Sequence, residues 1–95
     1  MKKMANNIYS SRFFCTKCGK ETLPIARATS QSREPGHLKK LYCLHCRQEH
    51  NCVEIRPFGQ RYSYEDFKIE FENKNFDDLG NRIEKYSMFV GRYKQ

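Results

Sequence analysis

The sequence predicts a small α+β domain: two β-hairpins joined at their tips by four cysteines, then a C-terminal segment with one or two helices. Three observations carry this prediction. Four of the cysteines come as two Cys-x2-Cys pairs, Cys15/Cys18 and Cys43/Cys46, each flanked by short apolar runs. Beyond the second pair, Cys52-Val53-Glu54-Ile55-Arg56 alternates apolar and charged residues at the strand period and stops at Pro57. Eight of the 13 aromatic residues lie in residues 62–95, where no cysteine occurs.

Residues 1–10 are polar and aperiodic, so a frayed tail is expected there. Residues 11–59 form the two-hairpin unit. Arg12-Phe13-Phe14 leads into the first cysteine pair and Leu23-Pro24-Ile25-Ala26 leaves it, while Leu38 to Tyr42 leads into the second. Between the hairpins, Thr29 to Gly36 is a loop by composition.

Residues 62–95 form the extension. Ser63 is placed as an N-cap before first-turn acids Glu65 and Asp66, and Tyr64, Phe67 and Phe71 then share one helical face. Against this, Phe67 to Glu72 alternates at the strand period. The capping signal and the run length favour helix. Ile83, Tyr86, Phe89, Val90 and Tyr93 fit a second helix or helical tail, after a turn over Asp77-Asp78-Leu79-Gly80-Asn81. Phe67, Phe71 and Phe76 are expected to pack down on the hairpins.

With 95 residues the chain holds one domain with a modest core, for which a staple is expected. No apolar run approaches the roughly 18 residues of a membrane span, and the N-terminus lacks a signal-peptide apolar region. A cytoplasmic protein with no membrane partner is expected. In a reducing compartment an odd count of five cysteines argues for metal rather than disulfides. The formal net charge of +7 is uneven. Residues 1–61 carry 12 Lys/Arg against 4 Asp/Glu, whereas residues 62–95 carry 6 against 7.

Cys15-Thr16-Lys17-Cys18-Gly19-Lys20 has the spacing of a metal knuckle, since two intervening residues let both sulfurs converge on one ion. Gly19 suits a turn with positive φ. Cys43-Leu44-His45-Cys46-Arg47 repeats the arrangement, with Arg47 in the glycine's place. Twenty-four residues separate Cys18 from Cys43, a length that an exposed loop absorbs at small entropic cost. Four thiolates complete a tetrahedron and leave no open position, so one structural Zn²⁺ is expected, with iron as the rival ion.

This pattern, with each pair on a hairpin, resembles the zinc-ribbon group over about residues 11–59. A treble clef is the rival fold, but it requires a helix at the second pair, where Val53, Ile55 and Pro57 oppose one. The whole chain also resembles small uncharacterised zinc-ribbon proteins of Firmicutes phages and prophages, through Gly36 to Cys43 and Tyr64-Glu65-Asp66-Phe67. That resemblance implies a host cytoplasm and a small accessory protein, an adaptor or inhibitor that binds a host protein.

His50 and Cys52 lie close behind Cys46 and are alternative ligands in a Cys3His site; otherwise His50 is exposed and Cys52 is a small buried strand residue. Lys17, Lys20, Arg27, Arg33, Lys39, Lys40 and Arg47 crowd the knuckles and the loop between hairpins. They form a candidate nucleic-acid footprint. Phe13, Phe14 and Tyr42 serve either as stacking platforms or as the small core. No histidine sits in a recognisable catalytic motif, so a non-enzymatic binding module without a small-molecule substrate is expected. Its partner is then a nucleic acid, or a protein, including one of the transcription machinery.

Overall fold

A computed structural model describes residues 8–28, 36–57 and 62–85. Strands β1 (Ile8–Cys15), β2 (Ile25–Ala28), β3 (Leu38–Cys43) and β4 (Gln48–Ile55) form one antiparallel sheet, ordered β2-β1-β4-β3. Helix α1 (Tyr64–Glu72) follows, the one helix among the described residues. No helix there is long and apolar enough to cross a membrane.

β1 divides its pairing between two neighbours. Ile8 to Ser11 face β2, with Ile8 opposite Ala28, and Arg12 to Cys15 face β4, with Cys15 opposite Cys52. The strand therefore begins inside the stretch expected to fray, because Ile25 to Ala28 supply a pairing edge to residues 8–11. β3 and β4 pair from Leu38 opposite Val53 to Cys43 opposite Gln48.

Strand alternation sorts the side chains onto two faces. Phe13, Cys15, Cys43 and Cys52 gather on one, with Cys18, Ile25, Leu41 and Cys46 packed around them. Phe14, Val53 and Ile55 on the other meet Tyr62 and Phe67, with Leu38, Phe71 and Phe76 at the margin. Phe13 and Phe14 are thus core residues on opposite sides, while Tyr42 stays 53% exposed. Both faces of β4 are covered, so Cys52, Val53, Glu54 and Ile55 are all buried. The alternation there separates two dry faces rather than a dry face from a wet one.

Residues 67–72 are helical because the cap dominates the strand-like alternation. Ser63 is extended, and its backbone N–H (2.8 Å) and hydroxyl (3.1 Å) both donate to the Asp66 carboxylate. The helical turn then carries Glu70 inward beside Phe67, where a strand would have turned it outward. At the other end Lys74 N–H donates to Phe71 O (3.1 Å) and Asn75 N–H to Glu70 O (2.9 Å), a Schellman ending. Lys74 holds the left-handed position, φ 59°, that glycine usually fills.

The chain beyond α1 returns along the sheet. The turn expected over Asp77 to Asn81 forms, with Asp77 Oδ1 accepting the N–H groups of Leu79 and Asn81 at 2.9 Å each. Asn51 Nδ2 donates to Gly80 O at 3.0 Å and fastens this turn to β4. Ile83 is 65% exposed and residues 83–85 are not helical. The other positions of the expected second helix, Tyr86 to Tyr93, lie outside the described residues.

Each face also buries a carboxylate, and each carboxylate is matched. Glu54 accepts from Ser11 Oγ (2.6 Å) and from Arg27 Nε and Nη2 (3.1 Å each). Burial acts to raise the Glu54 pKa, but the Ser11 and Arg27 hydrogen bonds outweigh it and hold the carboxyl below its usual value. Glu70, fully buried, accepts from Arg82 Nε (2.7 Å) and Nη2 (2.8 Å), from Asn75 Nδ2 (2.7 Å) and from the Tyr62 hydroxyl. Arg82 also donates to Gly36 O at 3.0 Å and lies over the Tyr62 and Phe76 rings.

Removing one partner of such a pair strands the other charge. Arg82→Met should destabilise the protein by about 3–5 kcal/mol, and adding Glu70→Gln should recover most of that loss. Urea denaturation of the two variants checks this; a cost below about 1 kcal/mol for Arg82→Met would show that Glu70 does not depend on it.

Candidate metal centre and basic surface

Each cysteine pair occupies a turn at the end of a strand. After β1, Gly19 N–H donates to Cys15 O (2.8 Å), and after β3, Arg47 N–H donates to Cys43 O (2.8 Å). Gly19 has φ 79° and Arg47 φ 60°, so Arg47 adopts the left-handed conformation that glycine supplies in the first turn. Gly19 has a second reason to lack a side chain: a Cβ there would sit 2.7 Å from Cε2 of Phe71.

The two turns meet because the sheet curls. Thr22 N–H donates to Phe13 O (2.9 Å) beside β1, while Thr22 Oγ1 donates to Tyr42 O (3.0 Å) on β3. That bond ties the segment after the first turn directly to β3, past the intervening β4, and the cysteine face becomes the inside of the curl. The Sγ atoms of Cys15, Cys18, Cys43 and Cys46 all lie within 4.8 Å of one another. Cys15 and Cys46 sulfurs are 4.0 Å apart and those of Cys18 and Cys43 3.7 Å. A tetrahedron with metal–sulfur bonds of about 2.3 Å has edges of about 3.8 Å, whereas a disulfide needs about 2.05 Å.

The electrostatics call for a cation. Without one, Cys15 is held down at about 4, first by a side-chain hydrogen bond from Cys52, with the Lys17 amide also helping. Cys46 is pushed up to about 12, through desolvation first and then the neighbouring thiols and the Cys15 charge. Burial, and behind it the Cys15 charge, thus disfavour a second thiolate at Cys18 and Cys46, and a bound metal ion would relieve that penalty. Backbone amides add support: Lys17 N–H approaches Cys15 Sγ at 3.3 Å, and Cys46 N–H approaches Cys43 Sγ at 3.4 Å.

Cys52 lies opposite Cys15 in register but stands outside the four-sulfur group. Its thiol pKa is raised, first by the hydrogen bond to Cys15 and then by burial, so it remains a protonated neighbour. His50 is on β4 opposite Leu41, also outside the group. A comparison with protein-family models, curated proteins and solved structures found no match to this chain.

The expected basic footprint divides in two. Arg27 is committed to Glu54 and lies over the Phe13 ring, its side chain only 10% exposed. Lys17, Lys20, Lys40 and Arg47 are exposed and Lys39 is half-buried; none of the five makes an ion pair among the described residues. Arg33 lies outside the described residues. The Glu54 and Glu70 networks were not read from the sequence, although a carboxylate between Val53 and Ile55 in an apolar strand was a signal for the first.

Cys15→Ser and Cys43→Ser should each abolish stoichiometric metal retention, while Cys52→Ser should keep it. Native mass spectrometry decides between these outcomes, and metal retained by both ligand variants would refute the site. Arg47→Gly should stabilise the metal-loaded protein by about 1 kcal/mol, since it relieves a left-handed side-chain conformation. Thermal melting at fixed metal concentration checks the sign.

Proposed function

We propose that the protein is a non-enzymatic zinc-binding module of the zinc-ribbon type that binds nucleic acid through the basic surface around its knuckles. Zn²⁺ suits four thiolates at tetrahedral separations and has no redox role to play there. With every corner taken by sulfur, the ion would hold the two turns together and leave binding to other residues.

One observation carries the nucleic-acid reading: the sorting of the cations. Arg12, Arg27, Arg56 and Arg82 are matched with Glu21, Glu54 and Glu70. Lys17, Lys20 and Arg47 are exposed on the two turns that the cysteines bring together, with Lys39 and Lys40 on β3 behind them. Such a cluster attracts phosphates and gains from counterion release. The extension is mixed, exposing the acids Glu65, Glu72, Asp77 and Asp78 beside Lys68, Lys74 and Lys85, so the purely cationic cluster that favours an anionic ligand is the one on the two cysteine turns.

A second reading has its own support. Leu23 (61%), Tyr42 (53%) and Leu44 (50%) are exposed near the knuckles, a composition that also suits a protein partner. The accessory role implied by the phage resemblance would use that surface, in a complex that survives salt.

A salt titration separates the two readings. Binding of the zinc-loaded protein to DNA or RNA should weaken steeply with salt, and Lys17→Gln/Lys20→Gln/Arg47→Gln should lower the log–log slope by about 0.9 per lost duplex phosphate contact. Absence of binding at low salt, or a slope unchanged in the triple variant, would remove this surface as a nucleic-acid interface.

A further inference from the structure

A hollow of about 390 Å³ opens between the first knuckle and the end of α1, lined by Thr16, Phe71, Glu72, Lys74 and Phe76. Its walls are chemically uneven. Phe71 and Phe76 are half-buried, with the Phe71 ring wedged between Phe67 (centroids 5.7 Å apart) and Gly19. Glu72 and Lys74 are exposed at the rim. Neither makes a side-chain hydrogen bond or ion pair among the described residues. Thr16 is followed directly by Lys17, so the hollow adjoins the basic surface.

Backbone conformation supplies an independent pointer. Among the described residues, two that are not glycine have positive φ, Arg47 at 60° and Lys74 at 59°. Both are cations, and each holds a turn position that glycine would fill with less strain. A side chain at such a position carries a strain that a use for the side chain would offset. Arg47 stands on the second knuckle and Lys74 at the hollow, with Lys17 and Lys20 on the first knuckle.

We infer that this hollow receives one unpaired nucleobase of a single-stranded nucleic acid, whose phosphates lie on Lys17 and Lys74. The inference rests on the nucleic-acid reading above and names the form of ligand. Aromatic walls are indifferent to base identity but require a base free of its duplex stack. The Glu72 carboxylate only accepts hydrogen bonds, so at the exposed rim it favours the protruding exocyclic amino group of cytosine or adenine. The single N3–H of thymine or uracil suits it less, because that group lies between two carbonyl oxygens that the carboxylate repels. Lys74 offsets the Glu72 charge and anchors the adjoining phosphate.

The test uses the zinc-loaded full chain and fluorescence anisotropy. The probes are oligodeoxycytidine, oligothymidine and a mixed duplex, each of about twelve nucleotides or base pairs and matched in salt. Oligodeoxycytidine should bind about tenfold more tightly than the duplex, the order expected from one stacked base. Glu72→Ala should remove the preference for cytosine over thymine. Lys74→Gly, which relieves the left-handed strain and should fold at least as well, should weaken single-strand binding about threefold by loss of one phosphate contact. Ring-proton resonances of Phe71 and Phe76 should shift on titration with the cytidine strand.

Equal binding of strand and duplex, with both rim variants behaving as wild type and the rings unmoved, overturns the hollow and leaves the basic surface standing. Failure of every probe to bind overturns both.

Discussion

Four thiols gathered within 4.8 Å of one another cannot all ionise unless a cation shares their charge, and the arrangement of the strands around them follows from that constraint. The two turns that supply them are 24 residues apart, and no hairpin connection alone would bring them together. Closing the cluster draws the β3 edge toward the segment after the first knuckle, where Thr22 bonds to Tyr42. The sheet then has an inside, filled by sulfur and Phe13, and an outside that remains apolar. That outside needs its own cover, which Tyr62, α1 and Phe76 supply.

The same logic distributes the charges. Arginine, with a planar fork that meets a carboxylate through two bonds, is used where a charge must be held inside: Arg27 on Glu54 and Arg82 on Glu70. Lysine, a strongly hydrated point charge on a flexible stem, stays toward the surface among the described residues, near the knuckles at Lys17, Lys20, Lys39 and Lys40 and on the extension at Lys68, Lys74 and Lys85. Among the described residues, Arg27, Arg56 and Arg82 are held inside the fold, while Lys17, Lys20, Lys40 and Arg47 are exposed around the cysteine turns.

The cysteine spacing made the four-sulfur cluster legible in the sequence, because two-residue gaps have few other uses. The N-cap at Ser63 and the turn at Asp77 were legible for the same reason: each is decided by neighbours in the chain. Residues 67–72 were ambiguous, since Glu70 reads as a surface residue in any pattern that ignores Arg82, twelve positions away. The second covered face of β4 was invisible for a related reason. Alternation of Cys52, Val53, Glu54 and Ile55 tells which residues share a face, but not whether that face meets water. Arg27 shows the limit most clearly: in composition it is one more cation beside a loop, and only register places it over Glu54 and Phe13.

The bond from Arg82 to the carbonyl of Gly36 joins the last described part of the chain to the connection between the hairpins. It runs through Glu70, so one guanidinium fastens the helix, the returning chain and the inter-hairpin loop at a single point. The two-hairpin unit therefore shares a fastening point with the extension. Transplanted as residues 11–59 alone, it would carry Phe14, Val53 and Ile55 bare on one side and would stick to whatever covered them. The unit to engineer is the hairpins with their cover, and a scheme that swaps knuckles between proteins must move residues 62–85 with them.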